Sequence, residues 1–491
     1  MHYFPTFCYD QNGAKQLDKT AQEYNLSGDI LMKRAAVAAL AKLREKWPYA
    51  KNIKIFCGVG NNAGDGFVLA RLAQEEGMQV EIITIEQTPI LRDEAKNAFE
   101  QALNKGIPIA SFQKSIDLQD TDVIVDAIFG IGLTRDVTGL YAEAIMLINQ
   151  SFIPVFSIDI PSGLSPNTGS CLGIAIDASA TITFIALKQG LLTNDGPDKT
   201  GELYFDSLDV PEEIYDRVKP TARIVTLDNI HSVLAPRLRN AHKGLYGHVL
   251  MVGGNQGFAG AMQISGEGAV RVGAGLVSIA THPLHASSIA AVRPELMSHA
   301  VETVDDMKLL LDRATVIAIG PGLGQDAWAQ GLLNAVINQD KPLVVDADAL
   351  NQLALNPHRN DRWILTPHPG EAARLLHCST AEIQADRFAA AEKIQRTYGG
   401  VVVLKGCGTI VMGDDHVAWI CDAGNPGMAS GGMGDLLTGI IAGLVAQKIG
   451  LLEAAIAGVL IHALAGDEAA EGGERGLLAT DVLEYLREWV N

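Results

Sequence analysis

Short runs rich in β-branched residues recur along this chain, each followed by a segment with helical spacing of apolar residues. No other feature restricts the fold as much. Strands separated by helix-length segments pair in parallel, because a crossover is needed to bring the chain back in the same direction. The first series is Ile53–Cys57, Val80–Thr84, Val123–Ala127, Val155–Asp159 and Thr181–Ala186. The second runs through His248–Val252, Leu276–Ala280, Val316–Ile319, Leu343–Val345, Ile364–Thr366 and Val401–Leu404. Both halves are therefore expected to be α/β, with ligands at the strand ends where Gly, Asp or Ser follow.

Between the two series, residues 217–243 carry Pro220, Pro236 and scattered basic side chains but no long strand pattern. The boundary is expected near residue 225, giving domains 1–225 and 226–491, although no Gly/Ser linker marks it. A length of 491 residues suits two large units, and the lack of a tandem repeat argues against a solenoid or propeller.

Lys plus Arg total 38 against 57 Asp plus Glu, a net charge of -19 that repels nucleic acid. An anionic ligand must then be held by local backbone donors and a few placed cations. Cys8, Cys57, Cys171, Cys378, Cys407 and Cys421 are widely separated and form no CxxC pair, which points to a reducing cytoplasm. Residues 1–10 lack the basic start and apolar run of a secretory signal. The apolar stretch 436–465 is interrupted by Gln447, Lys448, Glu453 and His462, so buried helices are expected there rather than a membrane span.

After the first strand comes Gly58-Val59-Gly60-Asn61-Asn62-Ala63-Gly64-Asp65-Gly66, with a helical stretch expected over Phe67–Gln74. A glycine-rich strand-to-helix turn can aim backbone N–H groups at a phosphate, though a purely structural turn reads the same. Two further strand ends carry Asp126 through Leu133 and Asp159-Ile160-Pro161-Ser162-Gly163. A carboxylate buried at a strand end needs a cation, a donor or a substrate proton, or else it caps the next turn.

Together these stretches, over residues 10–215 and including the early helix from Asp29 through Ala35, resemble the NAD(P)H-hydrate epimerase family. The resemblance implies a Rossmann-like α/β/α sandwich. It also implies a phosphate cradle made of Asn61, Asn62, Ala63, Gly64 and Asp65 with Gly130, Ile131, Gly132, Leu133, Thr134, Arg135 and Asp136, and Tyr141 as a further cofactor contact. Asp159 is then the acid/base group at the hydrated ring, and Asn62, Asp126 and Ser162 bind K+ through hard oxygen ligands. The family usually has glycine where this chain has Ala63, and a methyl there requires a backbone free of positive φ.

The sharpest motif runs from Gly424 to Asp435, Gly-Asn-Pro-Gly-Met-Ala-Ser-Gly-Gly-Met-Gly-Asp, straight into an apolar helix. N–H groups at a helix start stabilise developing phosphate charge, and Asp435 in the first turn can take a proton from an attacking hydroxyl. Lys405-Gly406-Cys407-Gly408-Thr409 offers a point charge and N–H donors to a nucleotide phosphate, or is a surface hairpin. No GxxxxGK[ST] sequence occurs, which excludes a P-loop. Gly320–Gly324 and Thr366–Glu371 complete the ring of loops; His368, between two prolines, suits either substrate contact or a helix entry.

From Lys243 to the C-terminus these residues resemble the ADP-dependent NAD(P)H-hydrate dehydratase family, with further support from Gly247-His248 and Val345-Asp346-Ala347-Asp348. That resemblance implies a ribokinase-like α/β domain in which Lys405, Gly406, Cys407, Gly408, Thr409 and Gly434 bind the nucleotide. Ala261, Gly322, His368 and Asp435 face the hydrated nicotinamide, with Asp435 as base and Mg2+ bridging the ADP phosphates. The implied partners are NADHX and NADPHX with ADP or ATP; neither nucleic acid nor membrane is expected, and a homo-oligomer is. Two rival readings are an ordinary vitamin or sugar kinase in the second half and a non-catalytic nucleotide-binding module in the first.

Overall fold

The computed structural model describes residues 5–491. The chain divides into two compact units, Met1–Ala222 and Arg223–Asn491.

The first unit is built on a seven-stranded parallel sheet. Its order is Ile109–Ser111, Gln79–Thr84, Asn52–Cys57, Val123–Ala127, Val155–Ile158, Ala180–Phe184, Glu202–Asp206. Alternate residues of one strand serve opposite faces: Val123 and Val125 join one apolar cluster and Ile124 another. Helices therefore cover both faces, the α/β/α sandwich. The chain enters the sheet centrally at Asn52–Cys57, runs to one edge, then returns to Val123–Ala127 and runs to the other. This reversal opens a crevice between two loops, where open α/β sheets bind ligands.

The second unit repeats the device. Its parallel strands are ordered Met297–Ala300, Leu276–Thr281, His248–Val252, Val316–Ile319, Leu343–Val345, Trp363–Leu365, Val401–Leu404. Thr409–Met412 and Ala418–Cys421 extend that edge in antiparallel fashion. The reversal lies between His248–Val252 and Val316–Ile319, so the loop starting at Gly253 faces Gly320–Gly324. Helices Ala259–Arg271 and Met433–Ala446 pack against each other through small residues. A Cβ on Gly439 would stand 1.9 Å from the Ser265 carbonyl oxygen, and one on Gly443 2.7 Å from that of Ala269. Almost all of Met433–Ala446 is buried, and among the described residues no helix is long and apolar enough to cross a membrane.

Several expected boundaries move. Val155–Ile158 stops before Asp159, whose φ of +70 cannot continue a strand. Thr181–Ala186 becomes Ala180–Phe184, and Ile364–Thr366 becomes Trp363–Leu365. The helix expected from Phe67 begins at Asn61, so the turn is only Gly58 to Gly60. The short strands Ile109–Ser111, Glu202–Asp206, Met297–Ala300, Thr409–Met412 and Ala418–Cys421 carry no long apolar run, and neighbouring strands define them.

Replacing Gly439 by Ala should separate the two helices and destabilise the second unit by about 1–3 kcal/mol. Its denaturation midpoint in urea, compared with wild type, measures the loss.

Candidate active sites

In the first unit the reversal crevice is a cavity of about 810 Å³. Gly60, Asn61, Asn62, Asp65, the loop 128–138 with Gly130 to Asp136, Tyr141 and Asp159 all line it. Gly58 is required by packing, since a Cβ there would meet the Ile128 carbonyl oxygen at 2.1 Å, whereas Gly60 and Gly132 look into open space. The turn can thus press on its neighbour strand while keeping backbone free at the mouth. Ala63 and Gly64 are fully inside the helix and do not line the cavity. Ala63 avoids positive φ, so its methyl is accommodated.

Asp159 holds a left-handed backbone that costs on the order of 1–3 kcal/mol. Its carboxylate accepts from Lys188 Nζ and from the Phe184 N–H at 3.4 Å. Lys188 is 3% exposed and also donates to Thr183 Oγ1 at 3.0 Å and the Phe184 carbonyl at 3.1 Å. Asp18 and Asp65 complete an acidic group around this one ammonium. Burial, opposed by Lys188 and reinforced by Asp159, pushes the Asp18 carboxyl up to about 6. Burial and Asp159 push Asp65 well above the carboxylate range. Asp65 and Asp159 thus line the same cavity. Neither Asp18 nor Lys188 stood out in sequence, because each belongs to a different element from Asp159.

Asp126 lies beneath the cavity floor, fully buried. It accepts from Ser162 Oγ at 2.5 Å, the Ser162 N–H at 2.8 Å, Ser157 Oγ at 2.9 Å and the Ile128 N–H at 3.2 Å. Burial still raises its carboxyl above the ordinary value. Ser162 Oγ in turn receives the Phe129 N–H at 2.7 Å, and Asn62 Nδ2 donates to the Phe129 carbonyl at 2.9 Å. Asn62 Oδ1 is buried and has no hydrogen-bond partner.

In the second unit a second lysine–aspartate pair organises the strand ends. Lys405 Nζ donates to Asp346 Oδ1 at 2.8 Å and lies 4.0 Å from Glu371 Oε2. Asp346 is 1% exposed and also accepts from Thr366 Oγ1 at 2.8 Å and Thr438 Oγ1 at 2.9 Å. Lys405 does sit in a hairpin, between Val401–Leu404 and Thr409–Met412, yet its amine turns inward. Asp435 occupies the first turn of Met433–Ala446, and a Cβ on adjacent Gly434 would lie 3.1 Å from Lys405 Nζ. Burial and Asp346 push the Asp435 carboxyl up to about 7 against the pull of Lys405. Burial does the same to Glu371, also to about 7.

Other expected contacts surround this centre. A Cβ on Gly322 would fall 3.4 Å from that of Ala261, so the two are neighbours across the reversal. Asp348 accepts the Gly324 N–H at 2.8 Å and tethers the same loop. His368 caps helix Pro369–Leu376, its Nδ1 accepting from the Gly370 N–H at 3.0 Å and the Glu371 N–H at 3.3 Å. Burial, with help from Lys405, keeps its imidazole below the usual histidine range, hence neutral. A separate cavity of about 1030 Å³, lined by Leu234, Tyr246, Gln447 and Trp489, lies past the far end of helix Met433–Ala446 and contains none of these residues.

Residues 28–190 match the family described as YjeF-related protein N-terminus, and residues 249–488 the family described as NAD(P)H-hydrate dehydratase. The chain is 47% identical to a bifunctional NAD(P)H-hydrate repair enzyme of Coxiella burnetii, across 99% of this chain and 100% of that one. A ribokinase-like superfamily protein from Enterococcus faecalis superposes with a TM-score of 0.51 at 31% identity, covering 55% of this chain and 95% of that one. The ADP/ATP-dependent NAD(P)H-hydrate dehydratase of Bacillus subtilis, co-crystallized with ATP/Mg2+, gives 0.50 at 31% identity, covering 54% and 96%. The second unit thus has the ribokinase-like fold. With near-complete coverage in both directions at that identity, the chain belongs to the bifunctional NAD(P)H-hydrate repair enzymes.

Proposed function

We propose that domain 1–225 interconverts the R and S epimers of NADHX and NADPHX, and that domain 226–491 dehydrates the S epimer to NAD(P)H with ADP, releasing AMP and phosphate. The observation that carries this reading is Asp435, which begins a buried helix beside Gly434 in the field of the Lys405–Asp346 pair. A carboxylate there can take the proton of the ring hydroxyl as its oxygen attacks the terminal phosphorus of ADP. N–H groups at the helix start stabilise the charge that develops on the phosphoryl oxygens. The ring nitrogen's electron pair then expels phosphate, and loss of the neighbouring C–H proton restores the double bond. Lys405 and the turn through Thr409 hold the nucleotide, Ala261 and Gly322 leave room for the ring, and His368 stands at its edge. Bound together with ADP, Mg2+ would supply charge neutralisation.

In the first domain Asp159 exchanges protons at the hydrated ring while Lys188 holds its carboxylate in place through a hydrogen bond. The crevice mouth from Asn61 and from Gly130 to Asp136, with Tyr141, holds the nucleotide phosphates through backbone donors. Asn62 Oδ1, Asp126 and Ser162 fit K+: Asn62 Oδ1 is buried without a donor, and Phe129 links Asn62 to Ser162 and the buried Asp126, a hard-oxygen set of low charge. Bound there, K+ would neutralise Asp126 next to the phosphates. The kinase alternative differs in product, since it requires a stable phosphorylated acceptor to accumulate.

Four outcomes test the reading. Asp159→Ala should slow epimer exchange by at least ~10²-fold without affecting dehydration of pure S epimer; exchange at the wild-type rate removes its role. Dehydration should rise with pH through about 7, because Asp435 acts only when ionised and its carboxyl sits there. Asp435→Asn should abolish that limb together with at least ~10²-fold of rate, measured by recovery of reduced-nicotinamide absorbance. Exchange assayed in tetramethylammonium buffer should regain rate on adding KCl, and an indifferent rate eliminates the cation site.

A further inference from the structure

Arg387 opens helix Arg387–Tyr398 and is 1% exposed. Its guanidinium fills the inner side of the Lys405–Thr409 turn. One terminal nitrogen donates to the Leu404 and Gly408 carbonyls at 3.2 and 3.3 Å. The other reaches the Lys405 carbonyl at 3.4 Å and Gln384 Oε1 at 3.2 Å. Gly406, at a φ of +137, leaves space for this group: a Cβ there would stand 2.5 Å from it.

Among the described residues no carboxylate answers the charge on Arg387. Among the described residues its polar neighbours are carbonyl and amide oxygens and the Cys407 thiol, and its Nε is buried without an acceptor. A buried cation without a counter-charge is costly. Its position at a helix N-terminus, the positive end of the macrodipole, adds to the cost. In a trans peptide the C=O and the following N–H point in opposite directions. Drawing the Lys405 carbonyl inward therefore turns the Gly406 N–H outward, away from Arg387.

We infer that Arg387 is a positioning residue for the nucleotide, fixing the turn with its N–H groups outward and supplying from beneath it the positive charge that a diphosphate answers. The inference rests on the reading that the Lys405–Thr409 turn meets the ADP phosphates. In a chain with a net charge of -19, such a buried charge offsets the repulsion of an anionic substrate without being exposed to screening by salt.

The test compares ADP kinetics of the full chain for Arg387→Gln, Arg387→Lys and Lys405→Met. Arg387→Gln should raise the KM for ADP about tenfold or more, with kcat changed less than about threefold. Arg387→Lys, which keeps the charge but not the fork to three carbonyls, should fall between it and wild type. Inhibition by adenosine, which has no phosphate, should be unchanged in both. An equal loss of adenosine and ADP affinity would mean that Arg387 only packs, and would overturn the inference. A wild-type KM for Arg387→Gln alongside a raised KM for Lys405→Met overturns it while sparing the reading of the turn. An unchanged KM for Lys405→Met sinks that reading and the inference with it. If Arg387→Gln does not fold, Arg387→Lys decides alone: a wild-type KM for ADP is the contrary result.

Discussion

Each unit is organised around one buried lysine facing one strand-end aspartate, Lys188 with Asp159 and Lys405 with Asp346. In each pair one partner is almost fully buried, Lys188 at 3% and Asp346 at 1% exposure, where an unpaired charge is costly. More acids than cations crowd each pair: Asp18 and Asp65 in the first unit, Glu371 and Asp435 in the second. Among the described residues one buried ammonium faces each group, and the surplus carboxyls lie above the ordinary carboxylate range. Asp18, at about 6, and Glu371 and Asp435, at about 7, become groups that can accept and return protons near neutral pH, which hydrate chemistry needs.

Backbone does the rest of the work. In both sheets the chain starts in the middle and reverses, so the loops after the central strands diverge and leave a cleft. Glycine has two distinct uses there. Gly58 and Gly439 are glycines because another backbone lies where a side chain would go, whereas Gly60, Gly132 and Gly431 border open space. The first kind sets the architecture, and the second leaves N–H groups accessible to an anion. The acidic composition of the whole chain makes these local donors necessary, and Arg387 extends the same economy by placing a cation behind the donors.

Much of this was legible in the residues. The strand series, the two glycine-rich turns, Asp159 and Asp435 all sit in contiguous stretches whose chemistry is local. Less legible were the groups that tune them. Lys188 lies in the two-residue strand Leu187–Lys188 and is separated from Asp159 by the whole crossover; Asp18 comes from an early helix; Arg387 looks like a surface residue on an amphipathic helix. Asp65 was read with the turn, but the helix starts six residues earlier than expected, at Asn61, and carries Asp65 within it.

Sequence by itself determined which residues alternate, where strands end in acids, and which turns lack side chains, because those properties depend on near neighbours along the chain. Tertiary structure alone decided which lysine meets which aspartate, which carboxyls are pushed above the ordinary range, and which arginine is buried with no carboxylate against it among the described residues. Charge and desolvation act through space over a few ångströms, and the partners that set them lie tens of residues apart in the chain.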